Sequence, residues 1–256
     1  MSIVGKLARS VIGEMGWSRL RERRFGPRTV VNRYGGRELR IHIADWIGRE
    51  WYGTGLDELK EIRLLSRHRL RPGARVFDIG AHQCVVALML AEVVGETGHV
   101  VAVEADYHNA RVGQVNADLN QASNVEVIYA AAAAKEGYVK IGPVPKVKAV
   151  TVDALTRQYG APDVLYIDVD GAEVEVLKGA EETIRTHHPD FFVEVHVGAG
   201  LEVAGGSVEA VLQHIPADAY ELLVFRDEKG SQPVPYRSDL SLLKDRFFLL
   251  AFNKKQ

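Results

Sequence analysis

The chain has 256 residues, 46% of them hydrophobic and 26% charged, and its 32 Lys+Arg against 34 Asp+Glu leave a formal charge of −2. That length buries a full core, and the near-neutral balance excludes a nucleic-acid binder whose whole surface is basic. Cys84 is the single cysteine, which rules out an intramolecular disulfide and a multi-cysteine zinc site.

Residues 1–28 carry Lys6, Arg9, Arg19, Arg21, Arg23, Arg24 and Arg28 against Glu14 and Glu22, with Ile3, Val4, Leu7, Val11 and Ile12 near helical spacing. Two readings stand: a helix packed on the domain with a solvated basic face, or a basic amphipathic segment contacting an anionic membrane surface or a partner protein. Leu39, Ile41 and Ile43 alternate as a short strand. The acid and aromatic cluster Asp45, Trp46, Glu50, Trp51 and Tyr52 follows, fit either to wall a pocket or to pack the segment onto the domain. Residues 56–70 read as a helix stopped by Pro72 and Gly73. Residues 1–70 are thus expected to form an appendage, and residues 71–256 the main domain. The longest apolar run, Val85 to Ala91, is far short of the roughly 20 residues a membrane-spanning helix needs, and no secretory pattern opens the chain, so a cytoplasmic setting is expected.

From Gly73 strands and helices alternate. Strands are expected at Arg75–Ile79, His99–Glu104, Val125–Ala130, Val164–Asp168 and Phe191–Val195, with helices at Val85–Val94, Ala110–Leu119, Ala154–Tyr159 and Ala172–Arg185. That rhythm implies a doubly wound α/β sheet with right-handed crossovers. Tyr220–Phe225 and Arg246–Phe252 are two further strands with no helix pattern between them, hence antiparallel.

In such sheets ligands bind beyond the carboxyl ends of the strands. The first strand ends Asp78-Ile79-Gly80-Ala81-His82, giving a carboxylate and then a glycine at the turn, where Gly80 permits a tight bend and leaves room for a ligand. The second ends at Glu104, placed to accept hydrogen bonds from the two hydroxyls of a ribose. A dinucleotide site needs G-x-G-x-x-G, and one glycine of the three is present, so a nicotinamide-dependent oxidoreductase is the weaker alternative. Asp78 repels phosphate and suits a ligand bearing an ammonium and a sulfonium, such as S-adenosylmethionine.

The runs Val76 to Ala81, Val103 to Ala105, Thr151 to Leu155, Tyr166 to Glu173, Leu177 to Ala180 and Pro189 to His196 resemble the FkbM-type S-adenosylmethionine-dependent methyltransferases over residues 74–200. The resemblance implies a Rossmann-like class I methyltransferase fold, seven-stranded with an antiparallel last strand. It also implies O-methylation of a sugar, polyketide or other small-molecule hydroxyl. Two departures stand out: the family usually has Asn and Gly near His82 and Cys84, and Glu where Asp170 stands. The cofactor is assigned to Asp78, Gly80, Ala81, His82, Glu104, Ala105, Ala131 and Asp168.

Methyl transfer chiefly requires alignment of the acceptor oxygen and removal of its proton. Asp168, Glu194 and His196 end neighbouring strands and are the catalytic candidates, with His196 the first choice of base. Asp168, Asp170 and Glu194 could alternatively hold Mg²⁺, although the reading adopted has no metal. Asp153 is expected to cap the helix from Ala154, and Glu173 to sit at the positive end of the next helix with a site role open. A non-catalytic protein that keeps the fold and recruits a partner is the remaining alternative. The partner expected is a small-molecule or carbohydrate acceptor, with no nucleic acid; oligomeric state is not legible.

Overall fold

The computed structural model describes residues 16–26, 28–141, 146–226 and 231–255. Residues 16–25 form helix α1, and the hydrophobic positions expected at 3–12 lie outside the described residues. A hairpin of β1 (Arg28–Tyr34) and β2 (Arg37–Ile43) follows, then short helices α2 (Trp46–Tyr52) and α3 (Lys60–Leu65). The alternating part comprises β3 (Arg75–Ile79), α4 (Val85–Val94), β4 (His99–Glu104), α5 (Tyr107–Leu119) and β5 (Val125–Tyr129). Next come β6 (Ala131–Ala132), β7 (Gly137–Val139), β8 (Val147–Val150), α6 (Val152–Tyr159), β9 (Val164–Ile167), α7 (Glu173–Lys178), α8 (Glu181–His187) and β10 (Asp190–Val195). The tail holds α9 (Val208–Leu212), β11 (Tyr220–Phe225), β12 (Val234–Pro235) and β13 (Phe247–Asn253).

Seven long strands and the two-residue edge β12 form the main sheet, in the order β12-β11-β13-β10-β9-β3-β4-β5. Strands β5, β4, β3, β9 and β10 run parallel, and β13 enters antiparallel between β10 and β11. The antiparallel tail follows from its short connection, which has no crossover helix. The chain leaves β3 toward β4 and β5 and returns to its other side through β9, so strand order reverses between β3 and β9. That reversal opens a crevice at the carboxyl ends of these strands.

Side chains alternate across the sheet with a period of two. Val76, Val100, Val164 and Phe192 pack on one face with α4, β2, α2 and α3, and Phe77, Val101, Leu165 and Phe191 pack on the other with α6, α7, α8 and α9. Residues up to 70 thus share a core with β3 and α4: Tyr34, Ile41, Ile43, Leu65 and Leu70 are buried there.

Several local expectations are corrected. The helix expected over 56–70 is confined to α3, and β1 was not expected at all. The helix expected over Ala172–Arg185 breaks into α7 and α8 at Gly179, where a Cβ would lie 2.2 Å from the Ala133 carbonyl oxygen and whose own carbonyl accepts from Asp153 N. Asp153 does not cap α6. Thr151 does, accepting from Ala154 N, while Asp153 accepts from the amides of Glu182 and Thr183 and so caps α8.

Candidate active site at the strand ends

Asp78, on β3, is 2% exposed, and its Oδ2 has no hydrogen-bond partner within the described chain. Glu104 ends β4; its Oε2 accepts from His82 N at 2.8 Å and its Oε1 from Asp106 N at 2.6 Å. Asp168 follows β9, the neighbour of β3. Three carboxylates therefore converge on one crevice. Burial, followed by the charges of Asp168 and Glu104, pushes Asp78 up to about 8, and burial raises Glu104 to about 7 against its backbone hydrogen bonds. Burial lifts Asp168 as well, although the His196 imidazolium pulls it down.

The turn between β3 and α4 offers little to a pyrophosphate. The amides of Gly80 and Ala81 both donate to the Val103 carbonyl, that of His82 to Glu104, and that of Cys84 to the Ala81 carbonyl. Gly80 itself, at φ +94°, is required by what lies beside it. The space its side chain would fill holds the backbone of Asp168, whose carbonyl oxygen would lie 1.8 Å from a Cβ. His82 and Cys84 keep left-handed backbone, with φ 48° and 59°. Cys84 fits because Gly113 on α5 faces it: a Cβ there would lie 2.4 Å from Sγ.

A second group lies at the ends of β9 and β10. His196 Nδ1 is 2.7 Å from Glu173 Oε1, and the backbone amide of His196 donates to the same oxygen at 3.1 Å. Glu173 is fully buried. A carboxylate only accepts, so Nδ1 carries the proton and Nε2 turns the other way. There it meets Asp170 Oδ1 at 3.4 Å, Glu194 Oε1 at 3.5 Å and Asp168 Oδ1 at 3.6 Å. Burial works against the imidazolium, but the Glu173 hydrogen bond and the charges of Glu194, Glu173 and Asp168 outweigh it, so His196 titrates above its ordinary value. Asp168, Glu194 and His196 could also present three ligand atoms within 4.8 Å of one another to a cation, although Arg246 Nη1 already sits 2.9 Å from Glu194.

A protein-family model described as "Methyltransferase FkbM domain" matches residues 78–223, more than half of the chain. The chain belongs to the FkbM methyltransferase family. Among solved structures, a methyltransferase FkbM from Methylobacillus flagellatus KT is 20% identical over 70% of this chain, with a TM-score of 0.50; the alignment spans 43% of that longer protein. A precorrin-6y C5,15-methyltransferase from Geobacter metallireducens GS-15 aligns at 14% identity over 77% of this chain and 89% of its own, with a TM-score of 0.48. Fibrillarin from Aeropyrum pernix, solved with natively bound S-adenosyl-L-methionine, aligns at 14% identity over 87% of this chain and 82% of its own, with a TM-score of 0.46. No curated protein sequence is significantly similar to this one. The fold is the Rossmann-like class I methyltransferase fold, with β13 as its antiparallel strand.

The FkbM domain places the remaining sequence candidates unevenly. Ala105 packs against a small apolar cluster of Ala131 and Val147, on β6 and β8. Asp170 has a 97% exposed side chain beside His196. Glu173 is the residue whose position the sequence least conveyed: being first in α7 suggested a dipole contact, whereas the return of β10 brings His196 onto it. Tyr52, from the aromatic cluster expected before residue 56, is buried at the carboxylate-lined crevice. Its hydroxyl lies 3.3 Å from His82 Nδ1, and burial followed by the charges of Asp168 and Asp78 holds its proton tightly.

Raised carboxyls have a consequence for stability. Asp78 and Glu104 bind protons in the fold more tightly than in the unfolded chain, so the stability this confers is complete below the ordinary carboxylate range and is lost as pH climbs through about 7 and about 8. The melting temperature of the ligand-free protein is expected to fall between about pH 4 and about pH 8 and to level off above it, and Asp78→Asn to flatten the upper part of that fall. Thermal unfolding across buffers checks it; a melting temperature that rises through this window would contradict the burial argument.

Proposed function

We propose that the protein is an S-adenosylmethionine-dependent O-methyltransferase acting on a hydroxyl of a small-molecule, sugar or polyketide-like acceptor. The observation that carries the cofactor reading is the buried, unpartnered Asp78 Oδ2 among three carboxylates, with the nearby amides already committed. An electron-rich, amide-poor crevice disfavours pyrophosphate and favours a ligand with ammonium and sulfonium charges. The fit is therefore good: Asp78 would take the ammonium and Glu104, whose oxygens keep free lone pairs, the ribose hydroxyls. When bound, S-adenosylmethionine supplies a methyl group on carbon already activated by a sulfonium.

The chain's own part is to hold the acceptor oxygen and take its proton. Glu173 fixes the His196 ring through Nδ1, and Nε2 faces the rim shared by Asp168 and Glu194, where an acceptor hydroxyl would lie. Asp168 borders both the cofactor crevice and this rim, and is placed to align the acceptor. Arg246 on Glu194 balances the charge there.

Calorimetric titration tests the reading. S-adenosylhomocysteine is expected to bind and NADH not to, and Glu104→Ala to weaken S-adenosylhomocysteine by about 1.5 to 3 kcal/mol, the scale of hydrogen bonds to a charged group. Unchanged affinity in a folded Glu104→Ala variant would remove Glu104 from the cofactor site.

A further inference from the structure

Helix α1 is anchored by one side. Ser18, Arg21, Glu22 and Phe25, spaced as one helical face, meet His108, Asp45 and Asp106, Arg111, and Trp46 respectively. Arg19, Arg23 and Arg24 fall outside that face and are exposed. At the end of the helix an aromatic strip begins. Phe25 packs edge-on against Trp46 with ring centroids 5.1 Å apart, the Arg28 guanidinium lies over Phe25, and that of Arg49 lies 4.7 Å from the Trp46 ring. Trp46 is 64% exposed, Ile47 47% and Trp51 53%. Ile47 and Trp51, four apart on α2, share a side of the helix. Large apolar side chains that stay this exposed beside one another mark an interaction surface.

We infer that this face docks the protein peripherally on an anionic lipid bilayer. The charge is complementary: Arg19, Arg23, Arg24, Arg28 and Arg49 are exposed, against Glu50 as the exposed acid of α1 and α2. Tryptophan with an aliphatic neighbour, and with Arg49 and Arg28 set on the strip, suits the headgroup boundary, where indole and guanidinium each find both an apolar and a polar phase. Single-stranded nucleic acid would also meet the charge, but it stacks on open aromatic faces, whereas Trp46 is flanked by Phe25 and Arg49 and the adjoining Ile47 offers no stacking plane. Trp51 also touches His82 of the turn after β3, with ring centroids 4.9 Å apart, so the docked face adjoins the crevice.

The test uses the full chain with vesicles of phosphatidylcholine mixed with phosphatidylglycerol, against phosphatidylcholine alone, read by co-sedimentation and tryptophan emission. Binding is expected to the mixed vesicles, with a blue shift and release by salt. Each of Arg23→Ala and Arg24→Ala is expected to weaken partitioning about fivefold. Trp46→Ala should weaken it about tenfold and reduce the blue shift, with S-adenosylhomocysteine titration unchanged as the control for folding. Absence of binding to the mixed vesicles, equal binding to both compositions, or displacement from them by a single-stranded oligonucleotide would overturn the assignment.

Discussion

His196→Ala is expected to lower turnover by ~10²-fold to 10⁴-fold with little change in S-adenosylhomocysteine affinity, because a positioned base contributes on that scale and the proposal sets His196 beside the acceptor rather than the cofactor. Glu173 makes the result more discriminating. Its buried carboxylate accepts from both the ring Nδ1 and the backbone amide of His196, so it sets the tautomer as well as the orientation. Glu173→Gln keeps the shape but removes the charge that helps raise the imidazole. A base must be neutral to act, so the wild-type rate should fall on the acid side through a value above that of a free histidine. In Glu173→Gln that acid limb should move to lower pH while the maximal rate drops. A purely structural Glu173 would change stability and leave the position of the limb alone. A His196→Ala rate within a few-fold of wild type would take the residue out of the mechanism.

Gly80→Ala is the largest expected effect on stability. The Cβ would fall 1.8 Å from the Asp168 carbonyl oxygen and 2.8 Å from its carbon, and both are backbone atoms of the next strand's end. Asp168 N in turn donates to the Ile79 carbonyl at 2.9 Å, so β9 cannot withdraw without losing that bond. Adding the cost of φ +94° to the overlap gives a loss of at least ~3 kcal/mol. For a chain of this size that is a drop in melting temperature of about 6 to 12 °C. Asp168 would also shift, so cofactor affinity and turnover should fall together. A Gly80→Ala protein that melts within a degree or two of wild type would show that β3 and β9 part easily at the switch point.

The centre of the sheet was legible because β3, β4, β9 and β10 are buried on both faces and read as short apolar runs, and β3, β4 and β9 end in or beside an acid. Asp78, Glu104 and Asp168 could be found from that pattern alone, since a carboxylate at the end of an apolar strand has few structural uses. Contacts made across the sheet were not legible. That Glu173 lies under His196 depends on how far α7 and α8 turn the chain before β10, and the break at Gly179 that sets this turn arises from the Ala133 carbonyl. Asp153 misled for a similar reason: it looks like the first cap available, yet Thr151, two residues earlier, caps α6 and frees Asp153 for α8. Gly80 was read as room for a ligand because a sequence gives a glycine's freedom but not what occupies the space beside it. Likewise, the residue types His82 and Cys84 do not reveal the left-handed backbone both adopt, nor that Gly113 makes room for the Cys84 side chain.

The most direct test of the central claim is the electron density of a crystal grown with S-adenosylhomocysteine. The account predicts the ligand across the carboxyl ends of β3 and β4, its ribose on Glu104 and its ammonium at Asp78 Oδ2, with the sulfur turned toward Asp168 and His196. Density for the ligand elsewhere, or a crevice filled by Tyr52 and His82 with Asp78 still unpartnered, would contradict it.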